Sequence, residues 1–309
     1  MDQLLFILYD VSLPILLLIT AGYVFQKIFK TDVRSYTKLL IYVLTPAVIF
    51  VKIIDTEFTW QLFLIVGAFV MLIQLAMLVL SLITSRIFGH TKSMRNASIN
   101  ALALFNTGNY GIPLIDLAFK GNPLADTSQI LIVVIQNVVT NTAGVYLASS
   151  GGSSGKKALS NIVKMPAIYI MALAVLFNLL HIEVPATFMI PLDYMADGFF
   201  AMALIGLGIQ LAEVPIKPAG MKRVTIISLI KVLSAPVIGL LLVLLLGVKG
   251  VLAQALIIGI STPTAVNSAL LAREFDNEPA FAAQMVVVTT VLCTVTLPVV
   301  IYLAGHYFA

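Results

Sequence analysis

Residues 106–113 read Asn-Thr-Gly-Asn-Tyr-Gly-Ile-Pro, and residues 261–267 read Ser-Thr-Pro-Thr-Ala-Val-Asn. Both strings lie inside long apolar stretches, where amides, hydroxyls, glycine and proline interrupt a helix. Pro113 and Pro263 are 263 − 113 = 150 residues apart, about half of the 309-residue chain. Matching interruptions in the two halves of a hydrophobic chain are typical of the binding site of a secondary transporter.

The composition excludes an ordinary soluble fold. Hydrophobic residues make up 60% of the chain and charged residues 10%, whereas a soluble domain carries about 25% charged residues. The formal charge of +4 does not indicate a nucleic-acid partner, because the basic residues lie in short loops between apolar runs. The single cysteine, Cys293, excludes an intrachain disulfide framework and a cysteine-based metal site. We therefore expect a polytopic protein in a lipid bilayer.

Ten apolar stretches have roughly the 20 residues that a membrane-spanning helix needs. We predict them at 6–27, 36–54, 60–87, 94–119, 127–148, 160–180, 188–212, 222–247, 251–273 and 279–304. The predicted fold is all-α, with helices four and nine broken at the two polar strings. Five spans in each half make the second half enter the membrane from the opposite side, which is an inverted repeat. We place the first repeat at 1–149, a cytoplasmic linker at 150–158 and the second repeat at 159–309.

Lysine and arginine are distributed unequally between the two sides of this arrangement. The poor side holds Lys52, Lys120 and Lys249. The rich side holds Lys27, Lys30, Arg34, Lys38, Arg86, Lys92, Arg95, Lys156, Lys157, Lys164, Lys217, Lys222, Arg223 and Arg273. Because basic loops stay in the cytoplasm, the prediction is a multi-pass protein of the cell (inner or plasma) membrane with both termini outside.

The two breaks define the candidate substrate site. We expect Thr262 to cap a half-helix that begins at Pro263, and Gly108 and Gly111 to adopt positive φ or admit another backbone. Two half-helix N-termini near the midplane would attract an anion. The candidate residues are Asn106, Thr107, Gly108, Asn109, Tyr110, Pro113, Ser261, Thr262, Pro263, Thr264 and Asn267, with Asn137 and Asn141 on span five. The alternatives are that the prolines only kink packed helices and that the span-five amides bond between helices.

Two ionisable residues are candidates for coupling or support. Lys231 lies about nine residues into span eight, where it could snorkel to the interface, support the break or bind the anion. Asp116 follows Pro113 by three residues, and it could bind a proton or cation or simply line an outer vestibule. The sequence contains no Walker A, His-Glu-x-x-His or Gly-x-Ser-x-Gly motif, so we predict neither an enzyme nor a cofactor or metal.

These motifs resemble those of a known family. The string from Asn106 to Leu114 resembles the Asn-x-Gly-x-x-Gly-x-Pro-Leu of the auxin efflux carrier family, and Thr262–Val266 resembles its second crossover. Leu44–Val48 and the spacing from Lys231 to Pro236 also fit. The resemblance implies a five-plus-five inverted repeat whose spans three to five and eight to ten form an elevator-like transport domain.

The short loop between spans five and six is similar to that of bacterial members, which implies malate- or malonate-type carboxylates as substrates. The resemblance also implies that Asn106 and Asn141 contact the carboxylate, whereas Tyr110 and Asp116 depart from the family pattern. A more distant resemblance is to the bile acid:sodium symporter fold.

The function predicted from the sequence is therefore secondary active transport of a small organic anion at the crossing of helices four and nine. A sodium-coupled symporter and a non-transporting membrane receptor are the alternatives. A proton or sodium ion is the candidate coupling partner, and a homodimer is left open.

Overall fold

The computed structural model describes residues 2–56, 58–149, 166–214 and 220–308. The predicted linker 150–158, the beginning of the second repeat, and Lys156, Lys157, Lys164 and Lys217 lie outside these residues. The helices are α1 Leu4–Phe29, α2 Val33–Ile54, α3 Trp60–Ile87, α4 Lys92–Ala103, α5 Ile112–Phe119, α6 Pro123–Ala148, α7 Pro166–Leu179, α8 Ala186–Ala212, α9 Met221–Leu245, α10 Gly250–Ile260, α11 Val266–Glu274 and α12 Pro279–Tyr307.

The described ranges are all-helical, apart from one isolated bridge between Phe105 and Thr264. Seven of these helices are long and apolar enough to cross a membrane, namely α1, α2, α3, α6, α8, α9 and α12. They coincide with seven of the ten predicted spans. Predicted span four is divided into α4 and α5, span nine is divided into α10 and α11, and the described part of span six is the 14-residue α7. The protein is thus a multi-pass membrane protein.

Polar residues outside the apolar runs fix where several helices begin. The Thr59 hydroxyl accepts the N–H of Leu62 at the start of α3 (3.1 Å), and Asn122 accepts N–H groups of the first turn of α6. Asp32 caps α2 in the same way. Each cap satisfies N–H groups that have no partner within the helix, so the polar residues between the apolar runs determine where these helices begin.

The helices pack in two groups. Helices α1, α2, α7 and α8 pack against one another and form the first group. The second group comprises α3 to α6 and α9 to α12, and its apolar core includes Phe69, Met77, Leu102, Leu131 and Ile257. The N-terminal part of α1, with Ile7, Val11 and Ile15, packs against residues of the second group such as Leu297. The two groups therefore share an apolar contact along this part of α1.

Two glycines bring α1 and α8 into backbone contact. A Cβ on Gly22 would lie 2.0 Å from the carbonyl oxygen of Ile205, and one on Gly208 would lie 1.9 Å from that of Ile19. Small residues let helices approach closely in lipid, where no hydrophobic force drives their association. The first group is consequently a tightly packed unit.

Candidate functional site

The two polar strings form two helix breaks that lie side by side. In the first, α4 ends at Ala103, an extended segment follows through Asn106, and a π-turn over Thr107–Gly111 leads into α5. In the second, α10 ends at Ile260 and α11 begins at Val266. The two extended segments pair in antiparallel fashion, because Asn106 N–H donates to Pro263 O (2.8 Å) and Ala265 N–H to Leu104 O (2.9 Å). Pairing satisfies backbone groups that lipid cannot satisfy.

The local geometry corrects two details of the sequence prediction. Thr262 does not cap a helix that begins at Pro263, because α11 begins three residues later and the Thr262 hydroxyl donates to Gly259 O (3.0 Å). Gly108 and Gly111 do not have positive φ. Close approach is nevertheless the reason for glycine at 111, where a Cβ would lie 2.3 Å from the Gln129 side-chain amide.

Side chains of neighbouring helices complete the hydrogen bonding of the breaks. Gln136, buried on α6, donates to Phe105 O and accepts Phe105 N–H (3.3 Å). Thr289 on α12 accepts Thr264 N–H (3.0 Å), and the Thr264 hydroxyl donates to Ala101 O (2.9 Å). These bonds give the backbone of the extended segments partners that a helix would otherwise supply, since a buried backbone group without a partner is costly.

Gln129 on α6 lies between the two breaks. Its amide nitrogen donates to Thr107 O (2.7 Å). A Cβ on Gly111 would lie 2.3 Å from its amide nitrogen, and a Cβ on Gly259 would lie 2.3 Å from its amide oxygen. One side chain thus touches α10 near its end and the turn before α5, and a residue larger than glycine at 111 or 259 would displace it.

Lys231 supports the first break. Its side chain is fully buried, and Nζ donates to the carbonyl oxygens of Ala101 (2.8 Å), Leu102 (3.0 Å) and Leu104 (2.9 Å). The ammonium also lies 4.3 Å from the centre of the Phe105 ring. Of the roles considered for Lys231, this geometry matches support of the break, because the carbonyl groups at a helix C-terminus lack partners and carry negative partial charge.

A cavity of about 540 Å³ lies beside the paired breaks. The predicted site residues that line it are Asn106, Thr107, Gly108, Asn109, Asn137, Asn141 and Asn267. Residues not among the predicted binding residues also line it, including Tyr36 and Thr37 of α2, Gln136 and Thr140 of α6, and Gln210 of α8. The cavity therefore lies between the two helix groups, and its wall combines amide and hydroxyl groups with apolar side chains.

The other predicted site residues lie away from the cavity. Tyr110 is buried in the apolar contact between α1 and the second group, and Pro113 is in the first turn of α5. The hydroxyls of Ser261, Thr262 and Thr264 donate to carbonyl groups of the helix ends, and Pro263 contributes its carbonyl oxygen to Asn106 N–H. These residues shape the breaks, and their side chains do not line the cavity.

Asn106 has an unusual environment within the cavity wall. Its side chain is 5% exposed, and its amide nitrogen has no hydrogen-bond partner in the described residues. Among the described residues that line the cavity, Glu274 is the only one with a charged side chain. The donors available to a ligand include the Asn106 amide, the amides of Asn109 and Asn267, and N–H groups at the starts of the Thr107–Gly111 turn and α11.

The cavity adjoins a wider mouth on the Lys/Arg-rich side. The mouth has a volume of about 770 Å³, shares Thr37, Gln210 and Glu274 with the cavity, and adds Arg34, Lys38 and Arg273. Asp32 also lines it, and donation from the Ser35 hydroxyl and from the N–H groups of Arg34 and Ser35 lowers the pKa of this carboxyl group. The route from the breaks therefore leads to the side predicted to be cytoplasmic.

An ion-pair cluster lies on the Lys/Arg-poor side. Lys52 of α2 contacts Asp116 of α5 at 2.7 Å and Asp126 of α6 at 2.7 Å. The Thr127 hydroxyl donates to Lys52 O (2.8 Å). Asp116 is therefore an ion-pair partner that joins the second helix group to the first. Sequence reasoning missed Lys52 and Asp126, since each lies near a span end where a solvated charge is the ordinary interpretation.

The fold and the site together describe a multi-pass helical membrane protein with a small polar cavity at two paired helix breaks. The family described as membrane transport protein matches residues 151–301, the second half of the chain. This match bears out the resemblance to the auxin efflux carrier family and indicates a membrane transporter rather than an enzyme.

Two archaeal relatives carry the same general description. An uncharacterized transporter of Methanocaldococcus jannaschii is 23% identical over 296 residues, covering 91% of this chain and 94% of the relative. An uncharacterized transporter of Methanothermobacter thermautotrophicus is 23% identical over 198 residues, covering 64% of each chain. The similarity to the first relative extends over nearly the whole chain, so it includes both breaks.

Proposed function

We propose that the protein is a secondary carrier of small organic anions that binds its substrate at the paired breaks. The observation that carries this proposal is the buried Asn106 amide, whose nitrogen has no partner among the described residues and lies beside a cavity of about 540 Å³. Hydrogen bonds to a charged acceptor are stronger than those to a neutral one, so a carboxylate is the ligand that such a donor favours. The cavity volume is that of a small-molecule site.

The proposed topology is ten spans in a five-plus-five inverted repeat, with residues 1–149 and 159–309 as the repeats. Its crossing pair is span four, which comprises α4 and α5, and span nine, which comprises α10 and α11. Broken spans in matching positions support it. On this topology the protein lies in the cell membrane with both termini outside, and the linker 150–158 is cytoplasmic.

Alternating access would follow from displacement of one helix group against the other. Both breaks, Gln129, Gln136 and Lys231 belong to the second group, so the breaks and the side chains that support them can move together. In the present arrangement the cavity adjoins the mouth on the Lys/Arg-rich side, and the Lys52 cluster joins the groups on the other side. On the proposed orientation, this arrangement corresponds to the inward-open state of an elevator-type carrier.

Two alternative functions, a sodium-coupled symporter and a receptor, give different results in a flux measurement. A sodium-coupled symporter would require sodium for flux. A receptor would bind the anion without flux, and the same cavity would serve it. Oligomeric state, including a homodimer, is independent of this choice.

The test compares Asn106→Ala with Thr262→Ala. We expect Asn106→Ala to weaken carboxylate binding roughly ten- to a hundredfold, the equivalent of about 1.5–3 kcal/mol for a hydrogen bond to a charged group. Thr262→Ala, at a buried position outside the cavity, should bind normally. The measurement is binding and flux of mono- and dicarboxylates in proteoliposomes on a solid-supported membrane, with and without proton and sodium gradients.

Wild-type affinity in purified Asn106→Ala would remove the site from this cavity. Binding without flux would favour the receptor, and flux that needs sodium would favour the symporter.

A further inference from the structure

Lys231 has the surroundings of a bound cation rather than those of an ordinary buried side chain. Three carbonyl oxygens converge on Nζ at 2.8, 3.0 and 2.9 Å. An ammonium group has three N–H donors and no acceptor, so each donor has one partner. A neutral amine has only two N–H donors and would leave one of these contacts unmade.

The three oxygens come from one helix end and the extended segment that follows it. Ala101 and Leu102 are in the last turn of α4, and Leu104 belongs to the break itself. Carbonyl oxygens of unwound backbone and of half-helix C-termini are the groups with which secondary transporters coordinate a coupling sodium ion. The face of Phe105 closes the site at 4.3 Å from Nζ, which is a cation–π distance.

From these observations we infer that the Lys231 ammonium is a tethered cation that occupies the position of a coupling ion at the first break, so that transport does not require sodium. This inference rests on the proposed carrier function and excludes its sodium-coupled alternative. A tethered cation keeps the segment from Ala101 to Asn106 in its binding geometry without an ion from solution. It also places a positive charge against Phe105, next to Asn106, although no basic side chain lines the cavity among the described residues.

The test removes the Lys231 side chain and supplies sodium or methylammonium from solution in its place. Lys231→Ala leaves the three oxygens and a space for a small ion, whereas Lys231→Met fills that space with a neutral chain of similar length. The measurement is the thermal unfolding midpoint in detergent, in sodium chloride, in methylammonium chloride and in choline chloride, whose cation has no N–H donor.

We expect sodium or methylammonium to raise the midpoint of Lys231→Ala above its value in choline, as mass action requires of a ligand that binds only the folded state. Wild type and Lys231→Met should respond equally to all three salts. If Lys231→Ala can be purified in folded form only when sodium or methylammonium is present, that outcome also supports a cation site.

A second readout is flux. Wild type should transport equally in sodium and choline, Lys231→Arg should retain more flux than Lys231→Ala, and Lys231→Ala should gain flux when sodium or methylammonium is added. Equal midpoints of Lys231→Ala in all three salts, or sodium-dependent flux of the wild type, would overturn the inference. Rescue of the midpoint with no carboxylate flux in any variant would instead reject the carrier and leave the cation site standing.

Discussion

At the scale of single residues, the breaks depend on a few buried polar side chains that each satisfy backbone. Gln136 serves both polar groups of Phe105, and Lys231 serves three carbonyl groups. Such residues are costly to bury without partners, and their partners exist only because the helices are interrupted. The break and its supporting side chains therefore stabilise each other.

Replacing Gln136 by Leu should lower the stability of the folded protein. The change leaves the N–H and C=O of Phe105 buried without partners, and each such group costs about 1–3 kcal/mol. The measurement is the unfolding midpoint in detergent, with Gln61→Leu, at an exposed position of α3, as the matched control. A midpoint for Gln136→Leu no lower than that of the control would show that the extended segment does not need this amide.

At the scale of helices, the connection between the two groups is asymmetric. On the Lys/Arg-rich side the groups enclose the mouth, whereas on the other side Lys52 of α2 is paired with Asp116 of α5 and Asp126 of α6. Asp126 is 4% exposed, so loss of its partner would leave a nearly buried carboxylate. The cluster consequently favours the arrangement in which this side is closed.

Lys52→Ala should shift the protein toward the arrangement that is open on the Lys/Arg-poor side. A cysteine introduced at Ile115, which is fully buried, should then react with a membrane-impermeant maleimide added to that side. Cys293, the one native cysteine, is buried, so it gives little background. Lys249→Ala, an exposed lysine on the same side, is the control. Labelling of Ile115→Cys to the same extent with and without the Lys52→Ala change would assign the cluster a purely structural role.

At the scale of the whole molecule, the sequence predicts the apolar spans and the two interruptions because hydropathy and proline report directly on them. It does not predict which polar residues of a break line the cavity. Helical periodicity gives the direction of a side chain only within a helix, and Asn106 and Thr262 both lie where the helix has ended. The i, i+4 spacing of Gln136 and Thr140 indicates a shared polar face on α6. Whether that face meets a break depends on tertiary packing, which the spacing does not report.

The proposed topology predicts that both termini lie outside the cell. Tags at either end should be accessible to impermeant reagents in intact cells, because the Lys/Arg-rich loops remain in the cytoplasm. A cysteine placed at Lys92 should be protected in the same cells and should react after permeabilisation. Protection of both tags in a chain that still transports would reverse the orientation and, with it, the assignment of the mouth.

The position of Gln129 between Gly111 and Gly259 has a consequence for the history of the family. A methyl group at either glycine would force the Gln129 amide to move, because the added carbon would lie 2.3 Å from it in each case, and that movement would disturb its bond to Thr107 O. The three positions should therefore change together during evolution. Across aligned relatives, a larger residue at 111 or 259 is expected only in lineages where a shorter side chain has replaced the glutamine, and such lineages would have had to find another donor for the Thr107 carbonyl.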